Sequence, residues 1–135
     1  MFPSSLKLTK HQRLKKPAQF QQVYKSKQWG HSRLYSFNVL AHHTNGVDVI
    51  LGVTVSKKVS KLAVDRNKIK RQVKEFFRHH QSELSDASLV ITAKPACLKA
   101  DSIERAESLT ELWSKIQGWQ KWHKRQAAKN EANQC

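Results

Sequence analysis

Ten residues, 47–56, alternate without a break. Val47, Val49, Leu51, Val53 and Val55 stand at the odd positions, and Asp48, Ile50, Gly52, Thr54 and Ser56 fill the gaps. A period of two belongs to a strand with unlike faces. The odd set is strongly apolar and must be covered, which predicts a helical layer on that side. The even set is smaller and more polar, so its face is expected to stay open. A few residues later the period changes. Over 64–81, Ile69, Val73, Phe76 and Phe77 recur at helical spacing. Asp65 stands at the start of this stretch, where a carboxylate suits the helix dipole.

The flanking segments fit the same scheme. Pro17 can open a helix, because its missing N–H is not needed in the first turn. Phe20, Val23 and Tyr24 then give a short amphipathic helix over about 17–27. In 34–42, Tyr35, Phe37, Val39 and Ala41 share one side of a strand. Asn45-Gly46 follows, a strong turn signal that predicts a hairpin onto 47–56. Residues 88–94 read as a buried strand stopped by Pro95. Asp101 with Glu104 forms a capping box in its Asp variant. It opens a last helix with Ile103, Ala106, Leu109, Leu112, Trp113 and Ile116 on one face. Helix, strands, helix, strand, helix predicts an α+β chain, a two-layer α/β sandwich.

A length of 135 residues suits one domain. We assign it to 1–122, with 123–135 as a polar, basic tail expected to be disordered. The charge is lopsided: 25 Lys and Arg against 10 Asp and Glu, formally +15. Such self-repulsion points to a polyanionic partner. The cations are also segregated. The first 47 residues hold no acid, and 57–78 carry nine cations against Asp65 and Glu75. In 83–111 the balance reverses, with six acids against three cations. Segregation favours a binding face over general solubilisation. No apolar run is long enough to span a membrane, and the first ten residues do not read as a secretory signal. Cys97 and Cys135 make no disulfide framework, so a cytoplasmic setting is expected. Cys97 reads as a small buried hydrophobe.

The basic face can be drawn on a helical wheel. At about 100° per residue, Arg66, Asn67, Lys70, Arg71, Lys74 and Arg78 fall within an arc of about 140°. The apolar stripe occupies a neighbouring arc, so one side can pack while the next presents five cations and an amide. Arg offers a fork matched to phosphate, Lys a compact charge, and Asn a donor–acceptor pair for a base edge or ribose. A merely solvated basic helix is the competing reading.

The wording of the sequence decides between them. Residues 13–24 read RLKKPAQFQQVY, and 53–71 read VTVSKKVSKLAVDRNKIKR. Together they resemble the protein component of bacterial ribonuclease P. That family has an RLKK start followed by spaced aromatics, a strand ending in V-[SA]-K-K, and a basic helix opening on Arg-Asn-Arg. All three occur here in the family's order, over roughly 11–117. One departure is Lys68, where the family has its second Arg. On the wheel Lys68 also points away from the main basic arc.

The resemblance implies a mixed sheet of about four strands in the order α-β-β-β-α-β-α, with a left-handed βαβ crossover that departs from the usual right-handed rule. It implies a protein subunit of an endoribonuclease, with no catalytic residue of its own. A large RNA using Mg²⁺ removes the 5′ leader of precursor tRNA, and the protein alone is expected to be inactive. The implied contacts to the catalytic RNA are Arg66, Asn67, Lys68, Lys70, Arg71, Lys74 and Arg78. Those to the leader are Arg13, Phe20, Tyr24, Thr54, Ser56, Lys57 and Lys58, in a cleft between the first helix and the sheet. The residues themselves agree. Phe20 and Tyr24 can stack on unpaired bases, small Gly52, Thr54 and Ser56 would let a strand approach, and Lys57 and Lys58 would sit at the rim. The alternative for both rings is a core stripe; Val23 is a core residue in either case.

Two other functions compete. A structural protein of a ribonucleoprotein would share the charge and the fold class, but not the ordered motif set. A stand-alone nuclease would need clustered carboxylates for metal, and Asp48 and Asp65 are isolated. The pairs His42-His43 and His79-His80 are not natural metal clamps, since adjacent side chains diverge on a strand or a helix. Neither a membrane nor a protein partner is expected.

Overall fold

The computed structural model describes residues 17–41, 50–84 and 87–133. Helix α1 (Pro17–Lys25) leads into the short strand β1 (Trp29–His31) and then β2 (Tyr35–Ala41). Strand β3 (Ile50–Thr54) precedes helix α2 (Ala63–His80), strand β4 (Ala87–Ala93) and the long helix α3 (Ser102–Asn133). Short 3-10 turns at Gln81–Glu83 and Pro95–Leu98 flank β4. The order is the expected one, and β1 is the strand that no periodicity announced: three residues are too few to show a repeat.

The sheet order is β1-β2-β4-β3. This overturns the hairpin expected from Asn45-Gly46. Those two residues, with Val47–Val49, lie outside the described residues, but β2 and β3 do not pair. Strand β4 lies between them, antiparallel to β2 and parallel to β3. The physical reason is burial. In β4, Ala87, Ser88, Leu89, Val90 and Ile91 are buried in succession, so the strand needs cover on both faces and neighbours on both edges. A β2–β3 hairpin would have left it at an edge.

The faces follow the alternation. Tyr35, Phe37, Val39, Leu51, Leu89 and Ile91 point to one side and form the main core with Ile69, Val73 and Phe77 of α2 and Leu109, Leu112, Trp113 and Ile116 of α3. Val53 is half-buried against it and Val55 is buried within it, as the odd-numbered pattern predicts. Trp113 lies edge-on to Phe77 at 6.0 Å and donates its indole N–H to Glu83 at 2.6 Å. Cys97 is fully buried, its thiol donating to the Leu34 carbonyl at 3.0 Å. Helix α1 lies across β2 and β4. Its buried Val23 and the buried Val90 of β4 both stand outside the main core cluster, and Val90 alternates to the opposite side from Leu89 and Ile91. Helix α1 therefore covers the second face of the sheet, over Val90.

The capping box forms as read. The Glu104 N–H donates to the Asp101 carboxylate at 2.8 Å, and the Asp101 N–H to Glu104 at 3.3 Å. Two details of α3 differ from expectation. Ile103 is 68% exposed and Ala106 is exposed, so the buried stripe starts only at Leu109, where the helix reaches the sheet. The segment 123–133, expected as a disordered tail, continues the helix to Asn133.

Candidate nucleic-acid interface

Helix α2 begins without a side-chain cap at Leu62. Its entry is held instead by buried Ser60, which donates to the Asp65 carboxylate at 3.0 Å and accepts the Leu62 N–H at 3.1 Å. Arg66 folds back over the same loop, donating to the carbonyls of Ser60 at 3.0 Å and Lys61 at 2.9 Å. Part of its fork is thus committed to the fold. Asn67, Lys68, Arg71 and Lys74 are exposed, and Lys70 is half-buried beside the stripe. Arg78 is paired with Glu75, and hydrogen bonds from Arg78 and then His79 hold the Glu75 carboxyl below its usual range. Lys68 stands off the main arc, lining a groove between α2 and α3 with Gln72, Phe76 and His79. The exposed cations of α2 are Lys68, Arg71 and Lys74.

The second surface is the face of the sheet that α1 only partly covers. Ser36, Thr92 and Thr54 are register partners across β2, β4 and β3, and make a row of hydroxyls, each half-buried. Asn38, Val90 and Gly52 form the next row. On α1, Phe20 and Tyr24 lie about 60° and 100° round from Val23. With Val23 pressed to the sheet, both rings sit along one flank of the contact. Phe20 is half-buried and Tyr24 is 40% exposed, so neither is the core residue that the competing reading made it. Ser26 fixes the end of α1 to β2, donating to the Val39 carbonyl at 2.6 Å. The next residue, Lys27, takes the left-handed backbone form, φ 57°, that ends the helix.

Ser56, Lys57 and Lys58 are exposed in the turn after β3, which the Val59 N–H closes on the Ser56 carbonyl at 3.0 Å. That turn leads directly to α2, so the three residues stand between the two surfaces. Arg13 lies outside the described residues, as does the pair His42-His43. The nearby His79 and His80 do not converge: His79 faces Glu75, while His80 bonds the Phe76 carbonyl and stacks on its ring at 4.0 Å. Among the described residues no three His, Cys, Asp or Glu side chains could hold a metal ion together. No helix among them is long and apolar enough to cross a membrane.

Some site residues escaped the sequence reading. Trp29 is 65% exposed and His31 stacks beside it at 6.0 Å. They pair with Asn38 and Ser36, which puts both on the α1 side of the sheet. The signal available in the sequence is a Trp within a basic, acid-free stretch. Arg105 was missed too. It donates to Gln72 at 2.8 Å and to the carbonyls of Ala100 at 2.7 Å and Cys97 at 3.2 Å, stitching α3 to α2.

A small α+β domain with a cationic helix beside a hydroxyl-lined, aromatic-flanked sheet face belongs to the class of single-domain RNA-binding proteins. Comparison with known proteins makes this specific. Residues 8–117 match the Ribonuclease P family model, and the chain belongs to the ribonuclease P protein component family. A relative from Thioalkalivibrio sulfidiphilus is 34% identical over 118 residues, covering 85% of this chain and 89% of its own. One from Stutzerimonas stutzeri is 37% identical over 109 residues, covering 79% and 81%. The Staphylococcus aureus RNase P protein structure superposes with a TM-score of 0.73 at 29% identity, over 79% of this chain and 96% of that one. The Thermotoga maritima RNase P protein, 22% identical with a TM-score of 0.65, shares the fold. The family's work is removal of the 5′ leader from precursor tRNA, as a subunit of a ribonucleoprotein endoribonuclease.

Proposed function

We propose that this chain grips two RNAs at once. The exposed arc of α2 binds the catalytic RNA through Asn67, Lys68, Arg71 and Lys74, with Arg66, Lys70 and Arg78 contributing charge from more constrained positions. The sheet face bordered by Phe20 and Tyr24 holds the leader of precursor tRNA, with Thr54 on its floor and Ser56, Lys57 and Lys58 at its rim. Arg13 belongs to the same leader contact. The observation that carries this reading is the split on α1: Val23 is buried, while of the two rings beside it Phe20 is only half-buried and Tyr24 is exposed.

The chemistry is assigned to the RNA. Hydrolysis assisted by two metals needs grouped oxygen ligands. Among the described residues, three of the acids are committed to the fold: Glu83 to Trp113, Glu104 to its cap and Arg33, and Asp65 to Ser60. Mg²⁺ would be held mainly by the RNA, and the cations of this chain would replace some of the ions needed to screen phosphate repulsion. The test is a Mg²⁺ titration of precursor tRNA cleavage by a bacterial ribonuclease P RNA, with and without this chain, plus an RNA-free control. The expected result is a lower Mg²⁺ requirement with protein and no cleavage without RNA. RNA-free cleavage abolished by carboxylate substitutions would overturn it.

A further inference from the structure

The family match ends at residue 117, yet α3 continues to Asn133. The extra turns are not neutral in charge. Residues 118–129 carry Lys121, Lys124, Arg125 and Lys129 and no carboxylate, and all four cations are exposed. Lys121, Arg125 and Lys129 recur every four residues, so they form one line along the helix. Their span is about 12 Å at 1.5 Å per residue.

The point where this extension leaves the domain is fixed. Lys115 donates to the carbonyl of His31, and one turn later the indole N–H of Trp119 donates to the side chain of Gln28 at 2.8 Å. Helix α3 thus runs antiparallel along the edge strand β1 and departs at its Gln28 end, one residue in sequence from Trp29, which faces the other side of the sheet. Trp29 is the exposed ring on the α1 side of the sheet, backed by His31. A single strand that crosses the sheet face from β3 toward β1 and leaves it over Trp29 would turn at this corner onto the cationic line that continues past the Gln28 end of β1.

We propose that Trp29 and the cations Lys121, Lys124, Arg125 and Lys129 form a second station for single-stranded RNA, engaging the part of the leader farther upstream of the cleavage site. This rests on the leader reading given above. Ring and cations supply the two parts of a sequence-tolerant single-strand site: a stacking surface and an electrostatic track. Charge complementarity selects the occupant, since residues 118–129 offer four exposed cations and no carboxylate.

The test uses the assembled holoenzyme and three ligands: mature tRNA, and precursor tRNA with a leader of about 2 or about 15 nucleotides; at about 3.4 Å per nucleotide, and up to about twice that when stretched, the shorter reaches about 7–14 Å and does not pass the three strand spacings of about 4.8 Å from β3 to β1. The variants are Trp29→Ala, the triple change Lys121→Ala, Arg125→Ala and Lys129→Ala, and the pair Phe20→Ala with Tyr24→Ala. Alanine keeps the helix, and Trp29 is exposed, so all should fold, which circular dichroism checks. The expected result for Trp29→Ala is a loss of roughly 5- to 150-fold in affinity for the long leader only. The triple variant should flatten the salt slope for the long leader by about 2, at about 0.7 per single-strand contact. Equal losses for both leaders, or for mature tRNA, would place these residues on another RNA and overturn the proposal. So would no loss at all while the Phe20 and Tyr24 pair still discriminates leader from no leader. If that pair fails to discriminate as well, the leader reading itself falls.

Discussion

Helix α1 offers a contrast inside nine residues. Val23 is 1% exposed against the sheet, Phe20 is half-buried and Tyr24 is 40% exposed. Val23→Ala removes two methyl groups from a filled site, which costs about 1–3 kcal/mol of stability from transfer and cavity together. For a domain of this size the melting temperature should drop by several degrees. Phe20→Ala and Tyr24→Ala delete rings that leave little void, so each should cost under about 1 kcal/mol of stability. Their effect should appear in binding. Loss of one stacked base is worth about 1–3 kcal/mol, or roughly 5- to 150-fold in affinity. The assay is the ratio of holoenzyme affinities for precursor and mature tRNA, taken for each variant. The ratio should collapse for Phe20→Ala and Tyr24→Ala, and stay near its starting value for Val23→Ala at a temperature where that variant is folded. A melting temperature that falls as far for the two rings as for Val23, with an unchanged ratio, would return both rings to the core and refute the reasoning.

Further outcomes follow from the same contacts. Arg71→Ala should weaken assembly with the catalytic RNA and lower the salt slope by about 0.7–0.9, with stability unchanged. Arg66→Ala should also destabilise the free protein, because two loop carbonyls lose their donor; equal melting curves for the two variants would contradict this. Gly118 has nothing within 4 Å of where a side chain would start, and it lies inside α3. Gly118→Ala should raise stability by about 1 kcal/mol, read from urea unfolding. Gly30→Ala should do the opposite, by about 1–3 kcal/mol, since its methyl would stand 2.6 Å from the buried ring of Phe37. Burial pushes the Cys97 thiol above its ordinary value of 9.0. At lower pH both folded and unfolded chains keep that proton, but at higher pH the unfolded chain loses it first. Stability should therefore fall as pH rises past about 9, with a shallower fall in Cys97→Ala.

Much of the fold was legible because burial leaves a period. The alternation in 47–56 fixed which residues of β3 face the core, and the stripe of Ile69, Val73 and Phe77 fixed the packed side of α2. The pairing of strands was not legible from the turn signal. Asn45-Gly46 speaks only for local chain reversal, whereas the sheet order depends on a strand more than 30 residues further on. The relevant signal lay in β4 itself, where Leu89, Val90 and Ile91 are apolar in succession. Such a run marks a central strand, while the alternating β3 can tolerate an edge. Ile103 was misplaced for a related reason. It keeps the helical period of Leu109 and Trp113, but period fixes direction and not whether a partner is there. The site was half legible. Charge and wording located α2 and the aromatic pair, but the commitments of Arg66 and Arg78 to the fold depend on loop geometry that no spacing encodes.

The central place of β4 also sets the relation between the two RNA surfaces. It makes β3 an edge strand whose end runs straight into the turn at 56–59 and then into α2. Thr54 on the sheet face and Asn67 on the helix are therefore only thirteen residues apart. The link between them is clamped: Val59 and Ser60 are buried, Ser60 ties Leu62 to Asp65, and Arg66 ties the helix back to Ser60 and Lys61. A short link with this many fixed points transmits position. If α2 rests on the catalytic RNA, the leader on the sheet face is held at one set offset from it. On that proposal the exposed Lys57 and Lys58 would put positive charge where the two polyanions meet. Proximity of that kind would convert binding into rate, because the leader would enter the reaction already oriented.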